Sequence, residues 1–159
     1  MSEMNVRIVR LEPLRVACGS GFGTSPESQA WDRLKAWMEG RGMLADLKGR
    51  RFFGFNNPNP SPGSPNYGYD QWVTVGPEVQ AAPGDEVRIL DFAGGLYAMA
   101  RFKIGDSGIE FPEAWKRLAV WREHSRYKPA HHQWLEEAIV SEAGELKYDE
   151  FDLYLPIAE

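Results

Sequence analysis

The sequence contains the same module twice, and this duplication constrains the fold more than any other feature of the chain. Residues 30–37 (AWDRLKAW) recur as residues 114–121 (AWKRLAVW). Shorter matches recur at nearly the same spacing, namely Arg7-Ile8-Val9 with Arg88-Ile89-Leu90 and Tyr69-Asp70 with Phe151-Asp152. A nearly constant offset across separate matches indicates an internal repeat, over about residues 5–79 and 86–157. A duplicated fold offers a groove between its halves as a ligand site.

Length and composition favour one globular domain over residues 1–159. With 159 residues, 43% of them hydrophobic, the chain can bury a shared core, whereas each half alone would be marginally stable. The formal net charge is -5 and no run of Lys or Arg is present, so we expect no nucleic-acid partner. No apolar run approaches the roughly 20 residues of a spanning helix, so we expect no membrane partner.

Features of the N-terminus and the cysteine content predict a cytoplasmic protein. The first five residues provide neither a basic region nor a following apolar stretch, which argues against a secretory signal. The first strand is expected within a few residues of Met1, which leaves no room for a preceding DNA-binding domain. Cys18 is the one cysteine, so an intrachain disulfide is not possible, as is usual in a reducing compartment.

Hydrophobic patterning gives each half the order strand, strand, helix, strand, strand. In the first half, strands at residues 6–11 and 14–18 predict a hairpin around Glu12-Pro13, with residues 19–23 (GSGFG) ending the second strand. A helix then begins at Ser25-Pro26 and runs to about Glu39. In the second half we expect a hairpin of residues 86–92 and 96–104 and a helix over residues 112–124. Further strands are predicted at residues 51–56, 69–76, 132–140 and 148–156. The expected fold is α+β, an eight-stranded antiparallel sheet with two long helices on one face and a central cleft.

Five segments carry a resemblance to a known family. They are Tyr69-Asp70, residues 92–98 (FAGGLYA), residues 115–121, Leu135-Glu136 and residues 152–157 (DLYLPI). In this order the chain resembles the GyrI-like or bacterial transcription-activator effector-binding domain family, related to the SOUL haem-binding superfamily. The resemblance implies a cleft lined by aromatic residues with one acidic residue at its base. Some members of that family are fused to a helix-turn-helix domain, and some stand-alone members look like hydrolases that open electrophilic cyclopropane-containing toxins. Since this chain lacks the DNA-binding part, the resemblance implies a stand-alone binder or hydrolase.

The family's acidic residue lies in a pattern of an aromatic or aliphatic residue, Glu, any residue and Tyr. Residues 135–138 (LEEA) match it at Glu136, with Ala138 in the tyrosine position and Glu137 as the neighbouring alternative. A tyrosine-assisted step would therefore use Tyr69, Tyr67 or Tyr97.

The chemistry of Glu136 leaves two mechanisms open. Alternation along a strand places Trp134 and Glu136 on one face, and a carboxylate among aromatic rings has a raised pKa, which makes it a better general base. It could activate water against a strained ring, or it could attract a lipophilic cation that gains about 0.5 to 2 kcal/mol per cation–π contact. The catalytic candidates are Glu136 and Tyr69. The ligand-binding candidates are Trp134, Trp37, Trp121, Tyr67, Tyr97 and Phe55.

We expect no metal and no cofactor. His124, His131 and His132 do not have the spacing of a metal site, because adjacent strand residues point to opposite faces. Cys18 is predicted to be a small core residue. The competing functional hypothesis is a non-catalytic effector-binding or sequestering module, or a modulator of a protein partner such as a topoisomerase. For a protein partner, the loop of residues 57–66 is the one unusual segment, and the sequence leaves the oligomeric state open.

Overall fold

A computed structural model describes residues 5–45, 47–105 and 110–159 of the chain. The first four residues, on which most of the argument against a secretory signal rests, lie outside the described residues. The described part contains nine strands and two α-helices. In chain order they are β1 (Val6–Leu11), β2 (Leu14–Gly23), α1 (Pro26–Gly40), β3 (Phe52–Asn56), β4 (Tyr67–Thr74), β5 (Val87–Phe92), β6 (Gly95–Lys103), α2 (Phe111–Glu123), β7 (Lys128–Pro129), β8 (Leu135–Val140) and β9 (Leu146–Ala158), with a short 3-10 turn at Met43–Ala45.

The chain separates into two compact units, each built from segments distant in sequence. Unit 1 comprises Met1–Pro13, Ala93–Ile139 and Lys147–Glu159, and unit 2 comprises Leu14–Phe92 and Val140–Leu146. The α+β class and the antiparallel pairing predicted from the repeat are confirmed. The strand count is nine rather than the expected eight, because the two-residue strand β7 pairs with the end of β9.

In unit 2 the strands follow the order β5-β2-β4-β3 and α1 packs on β2 and β4. The apolar stripe of α1 is buried at Ala30, Leu34 and Met38, as the helical spacing predicts. In unit 1 the order is β1-β6-β9-β8, and α2 buries Ala114 and Leu118 against residues of β6 and β9. The two units thus share one arrangement, four antiparallel strands with one helix, to which unit 1 adds the short strand β7.

The first strand of each repeat does not form the predicted hairpin. Within the described residues β1 pairs with β6, and β2 pairs with β4 and β5. A two-residue hairpin favours residues with positive φ at both central positions, which Pro13 cannot adopt because its ring fixes φ near -65°. Gly94 has a φ of 80°, but a side chain there would collide with the Leu11 carbonyl oxygen, so this glycine allows close approach of β1. The first strands of the two repeats are therefore exchanged between the units.

The glycine-rich segment of residues 19–23 continues β2 instead of ending it, which corrects the sequence-based prediction. A Cβ atom at Gly19 would lie 2.6 Å from the Ala30 carbonyl oxygen, and one at Gly21 would lie 2.8 Å from Gln29 Cβ. Because the missing side chains leave room for backbone, α1 lies directly on this part of the strand.

Strand β8 begins at Leu135, three residues later than the predicted start at His132. The preceding residues are held by other contacts: His132 Nε2 lies 2.7 Å from the Leu96 carbonyl oxygen, and the Tyr97 hydroxyl donates to the Gln133 carbonyl oxygen. These contacts use polar groups that a longer strand would direct to a neighbouring strand. No helix in the described residues is long and apolar enough to cross a lipid bilayer.

Candidate functional site

In unit 1 the exposed indole ring of Trp134 lies against the half-buried indole ring of Trp115. Trp134 is 41% exposed, and its ring centroid lies 5.3 Å from that of Trp115 in α2, with 40° between the ring planes. The contact with Trp115 holds one face of Trp134 while the rest of the ring stays accessible. An aromatic surface of this kind, two residues before Glu136, suits a planar or cationic ligand.

The structure distinguishes Glu136 from its neighbour. The Tyr154 hydroxyl of β9 donates a hydrogen bond of 2.5 Å to Glu137 Oε1. Because successive residues of β8 point to opposite faces, Glu136 lies on the other face of the strand from this pair, and both glutamates are half-buried. Glu136 as the functional carboxylate, which the family pattern implies, remains a prediction.

Tyr97 and Trp121, the other candidates in unit 1, have packing partners of their own. Tyr97 is fully buried, its ring lies edge-on to Tyr154 and His132, and its hydroxyl donates to the Gln133 carbonyl oxygen. Burial raises the pKa of Tyr97, so its hydroxyl is held as a neutral donor. Trp121 of α2 is half-buried and stacks on Tyr127, with 6.4 Å between ring centroids.

In unit 2 the structure places Tyr69 over a glycine. Tyr69 is on β4, and a side chain at Gly54 of the neighbouring strand β3 would collide with the Tyr69 ring. Glycine at this position therefore gives Tyr69 the space it occupies. Phe55 is buried and packs edge-on against Trp72, with ring centroids 5.0 Å apart, which makes it part of the sheet's packing.

Tyr67 and Trp37 donate hydrogen bonds to carboxylates. The Tyr67 hydroxyl donates to Glu27 Oε1 in the first turn of α1, and this bond raises the pKa of Tyr67 to about 12. Trp37 is buried, its Nε1 donates to Asp85 Oδ2 over 3.1 Å, and the Arg41 guanidinium lies 4.6 Å from its ring centroid. The indole nitrogen of Trp37 thus ties α1 to the segment before β5.

Asp85 provides a prediction on pH. The backbone N–H of Ala82 donates to its carboxylate and is the main cause of a lowered pKa, followed by Trp37 and Arg41. Since the folded-state pKa is below the ordinary value of 3.8, this carboxylate adds stability above about pH 4, and the gain is lost as pH falls through the folded-state pKa. We expect Asp85→Asn to lower the thermal midpoint at about pH 7 and to approach wild type at about pH 3.

The measurement is a set of thermal unfolding curves at both pH values. Glu86→Gln is the matched control, since Glu86 is exposed and forms a surface ion pair with Arg33 over 3.6 Å. A difference between Asp85→Asn and wild type that persists unchanged at about pH 3 would contradict the assignment.

Two buried carboxylates were missed by the sequence analysis. Asp70 of β4 accepts hydrogen bonds from Ser20 Oγ (2.7 Å) and Asn57 Nδ2 (3.1 Å), and Arg88 lies 3.7 Å away. Asp152 of β9 is held by Arg101, whose Nε and Nη2 donate over 2.8 and 3.1 Å. The two aspartates are equivalent residues of the internal repeat. An acidic residue at the same position of two mostly apolar strands was the available signal, since buried charges are usually paired.

Cys18 lies beside the first of these carboxylates and is a buried free thiol. Burial is the main cause of its raised pKa, and Asp70 adds to it. A thiol with a raised pKa is a weak nucleophile, in agreement with the predicted core role. The residues that the structure describes contain no cluster of His, Cys, Asp or Glu side chains suited to a metal ion.

Comparisons with known proteins give the chain a class and a family. Similar solved structures include EcmrR in an EcmrR–DNA complex (TM-score 0.65, 12% identity, 98% of this chain and 57% of that chain), a hydrolase from Listeria innocua (0.66, 12%, 99% and 94%) and SAV2435 bound to tetraphenylphosphonium (0.54, 12%, 98% and 94%). At these identities the similarity shows the fold, and the chain spans 57% of the length of the EcmrR chain. No curated protein matches the sequence.

The family-model match over residues 7–157, together with the shared fold, confirms the resemblance to effector-binding domains. The chain belongs to the Cass2 family of integron-associated effector binding proteins, whose profile matches residues 7–157. Its general function is therefore the binding of a small-molecule effector.

Proposed function

We propose that this protein binds lipophilic aromatic cations, with Glu136 supplying the opposite charge and Trp134 an aromatic wall. The observation that carries the proposal is the exposed ring of Trp134. This residue lies two positions before Glu136, and its ring packs on Trp115. A cation next to a half-buried carboxylate gains more Coulomb energy than it would in water, because the local dielectric constant is lower. The aromatic face adds cation–π attraction. The similarity to SAV2435 bound to tetraphenylphosphonium supports this ligand class.

The test is calorimetric titration of the protein with tetraphenylphosphonium. We expect saturable binding to wild type and about tenfold weaker binding to each of Glu136→Gln and Trp134→Ala. Glu137→Gln is the matched control, because it removes the same charge one residue away, from the carboxylate that accepts the Tyr154 hydroxyl. If Glu137→Gln loses affinity and Glu136→Gln does not, the functional carboxylate is Glu137 and the proposal for Glu136 is wrong.

Hydrolysis of electrophilic cyclopropane compounds is the second candidate function. It is favoured by the half-burial of Glu136, which suits a general base, and by the structural similarity to a hydrolase from Listeria innocua. In this step Glu136 takes a proton from water while the oxygen bonds to a ring carbon. The ring C–C bond breaks and its electron pair remains on the second carbon. That carbon then takes the proton that Glu136 removed from water, which regenerates the Glu136 carboxylate.

Mass-spectrometric turnover of cyclopropane substrates distinguishes the enzyme from a sequestering module. An enzyme converts many equivalents, and Glu136→Gln reduces the rate. A sequestering module saturates at one equivalent and releases unchanged compound.

No described feature favours a role as modulator of a protein partner such as a topoisomerase. A cytoplasmic location is supported by Cys18, a free thiol.

A further inference from the structure

Unit 1 contains a cavity of about 290 Å³ that the proposed cation site does not use. Its lining residues are Asn5, Arg7, Met99, Arg101 and Asp152. Arg7 is directly opposite Met99 in the β1–β6 pair, and Arg101 is opposite Asp152 in the β6–β9 pair. The residues of these strands that pack against α2 are the alternating ones, Ala98, Ala100, Leu153 and Leu155. The cavity therefore lies on the face of the unit 1 sheet turned away from α2, whereas Trp134 contacts α2.

The charged groups of the cavity are arranged for a ligand with negative charge. Arg101 uses Nε and one N–H of Nη2 to hold Asp152, so its remaining N–H groups point elsewhere, and Nη1 lies 3.9 Å from Glu150. Glu150 is itself paired with Lys147 over 2.9 Å. In the described part of the chain Arg7 has no ion-pair partner. Among the lining residues, two guanidinium groups thus face one carboxylate, and that carboxylate is already neutralised by Arg101.

The duplication supplies an internal comparison for this cavity. In unit 2 the residues that the repeat makes equivalent to Arg7, Arg101 and Asp152 are Arg88, Ser20 and Asp70. There the edge-strand arginine, Arg88, lies 3.7 Å from the aspartate, and Ser20 and Asn57 donate to the same carboxylate. In unit 1 the central-strand Arg101 neutralises the aspartate instead. Arg7 on the edge strand β1 therefore does not neutralise Asp152, and it lines the cavity.

We propose that this cavity binds a small organic oxyanion, a carboxylate or a phosphate monoester. Arg7 and the remaining N–H groups of Arg101 donate charge-assisted hydrogen bonds to the anionic oxygens, and guanidinium groups suit both oxyanions. The Asn5 amide adds a further donor, and Met99 contacts the carbon part of the ligand. A volume of about 290 Å³ is at the lower end of ligand pockets, so the ligand is small. The site differs from the proposed effector site in charge preference and in sheet face.

The test is calorimetric titration of the intact protein with succinate and with methyl phosphate, against sodium chloride of matched ionic strength. We expect saturable binding of at least one oxyanion, and the tighter probe identifies the class. Arg7→Gln is expected to weaken binding about tenfold, since one charged donor is lost. The matched control is Arg10→Gln, which removes the same charge from the other face of the same strand, and it should bind as wild type does.

Met99→Trp tests the cavity without changing its charge and is expected to abolish binding by filling the volume. Affinity of Arg7→Gln for tetraphenylphosphonium should equal that of wild type, which separates this inference from the proposed function. The inference is overturned if neither oxyanion shows saturable binding beyond chloride. It is also overturned if Arg7→Gln and Arg10→Gln bind equally well.

Discussion

Replacing Gly21 with alanine is expected to destabilise the protein by about 3 kcal/mol. The new methyl group would collide with the Pro26 carbonyl oxygen and lie 2.8 Å from Gln29 Cβ. Both obstacles are in the first turn of α1, where backbone, unlike the end of a long side chain, cannot rotate away. Strand β2 cannot retreat either, because Gly21 is paired with Tyr69 in β4. The helix must therefore lift from the strand and lose part of its packing.

Chemical denaturation of Gly21→Ala beside Gly40→Ala measures this effect. Gly40 ends α1, and a Cβ atom there would meet no atom within 4 Å. Alanine is favoured over glycine in a helix by up to about 1 kcal/mol, so Gly40→Ala should be as stable as wild type or more stable. Wild-type stability of Gly21→Ala would show that α1 does not approach β2 as closely as described.

Leu118→Ala is the second substitution with a large expected effect, a loss of about 3 kcal/mol. Leu118 is 0% exposed and belongs to a core cluster with Ala98, Leu153 and Leu155. Truncation removes buried methyl groups and leaves a cavity that the surrounding strands cannot fill without breaking their ladder hydrogen bonds.

The matched control is Val120→Ala in the same helix. Val120 is 44% exposed, so this truncation should change the unfolding free energy by no more than about 0.5 kcal/mol. Equal losses in Leu118→Ala and Val120→Ala would mean that the helix buries a different face.

Together the two substitutions test whether residues 1–159 form one domain, as we propose. Gly21 belongs to unit 2 and Leu118 to unit 1. If the chain unfolds as one cooperative domain, each variant lowers the midpoint of a single transition seen by all probes. Two transitions, each shifted by one variant only, would show that the units unfold separately.

The elements of the fold were predictable because their signals are local. The proline at Pro26 and the apolar spacing up to Met38 place α1 to within one residue of its observed end. The strand partners were not predictable in the same way. A strand's own residues show that it is half-buried, but β1 pairs with a strand far along the chain, in the other repeat, and nothing in its own residues identifies that partner.

The candidate site shows the same difference between residues with a local sequence signal and contacts made by residues distant in sequence. Glu136 was predicted from a short family pattern, and Trp134 from the alternation of side chains along the strand. The polar partners of Asp70 come from β2, from β5 and from the loop after β3, so nothing near Asp70 in the sequence indicates that its charge is compensated. Gly54 is a second example. A glycine is needed there because the Tyr69 ring on the neighbouring strand occupies the space of a side chain, and the residues around Gly54 do not indicate this.

The exchange of first strands has a consequence for the history of the duplication. Unit 1 contains β1 of the first repeat, and unit 2 contains β5 of the second repeat. The duplicated segment of sequence is therefore not the segment that forms one four-stranded unit. A protein made of one repeat could reproduce this pairing only by trading its first strand with a second copy of itself. The ancestral half-length chain would accordingly have been an intertwined homodimer, and the fusion of two copies made that exchange intramolecular, with the connection between β4 and β5 replacing a subunit encounter.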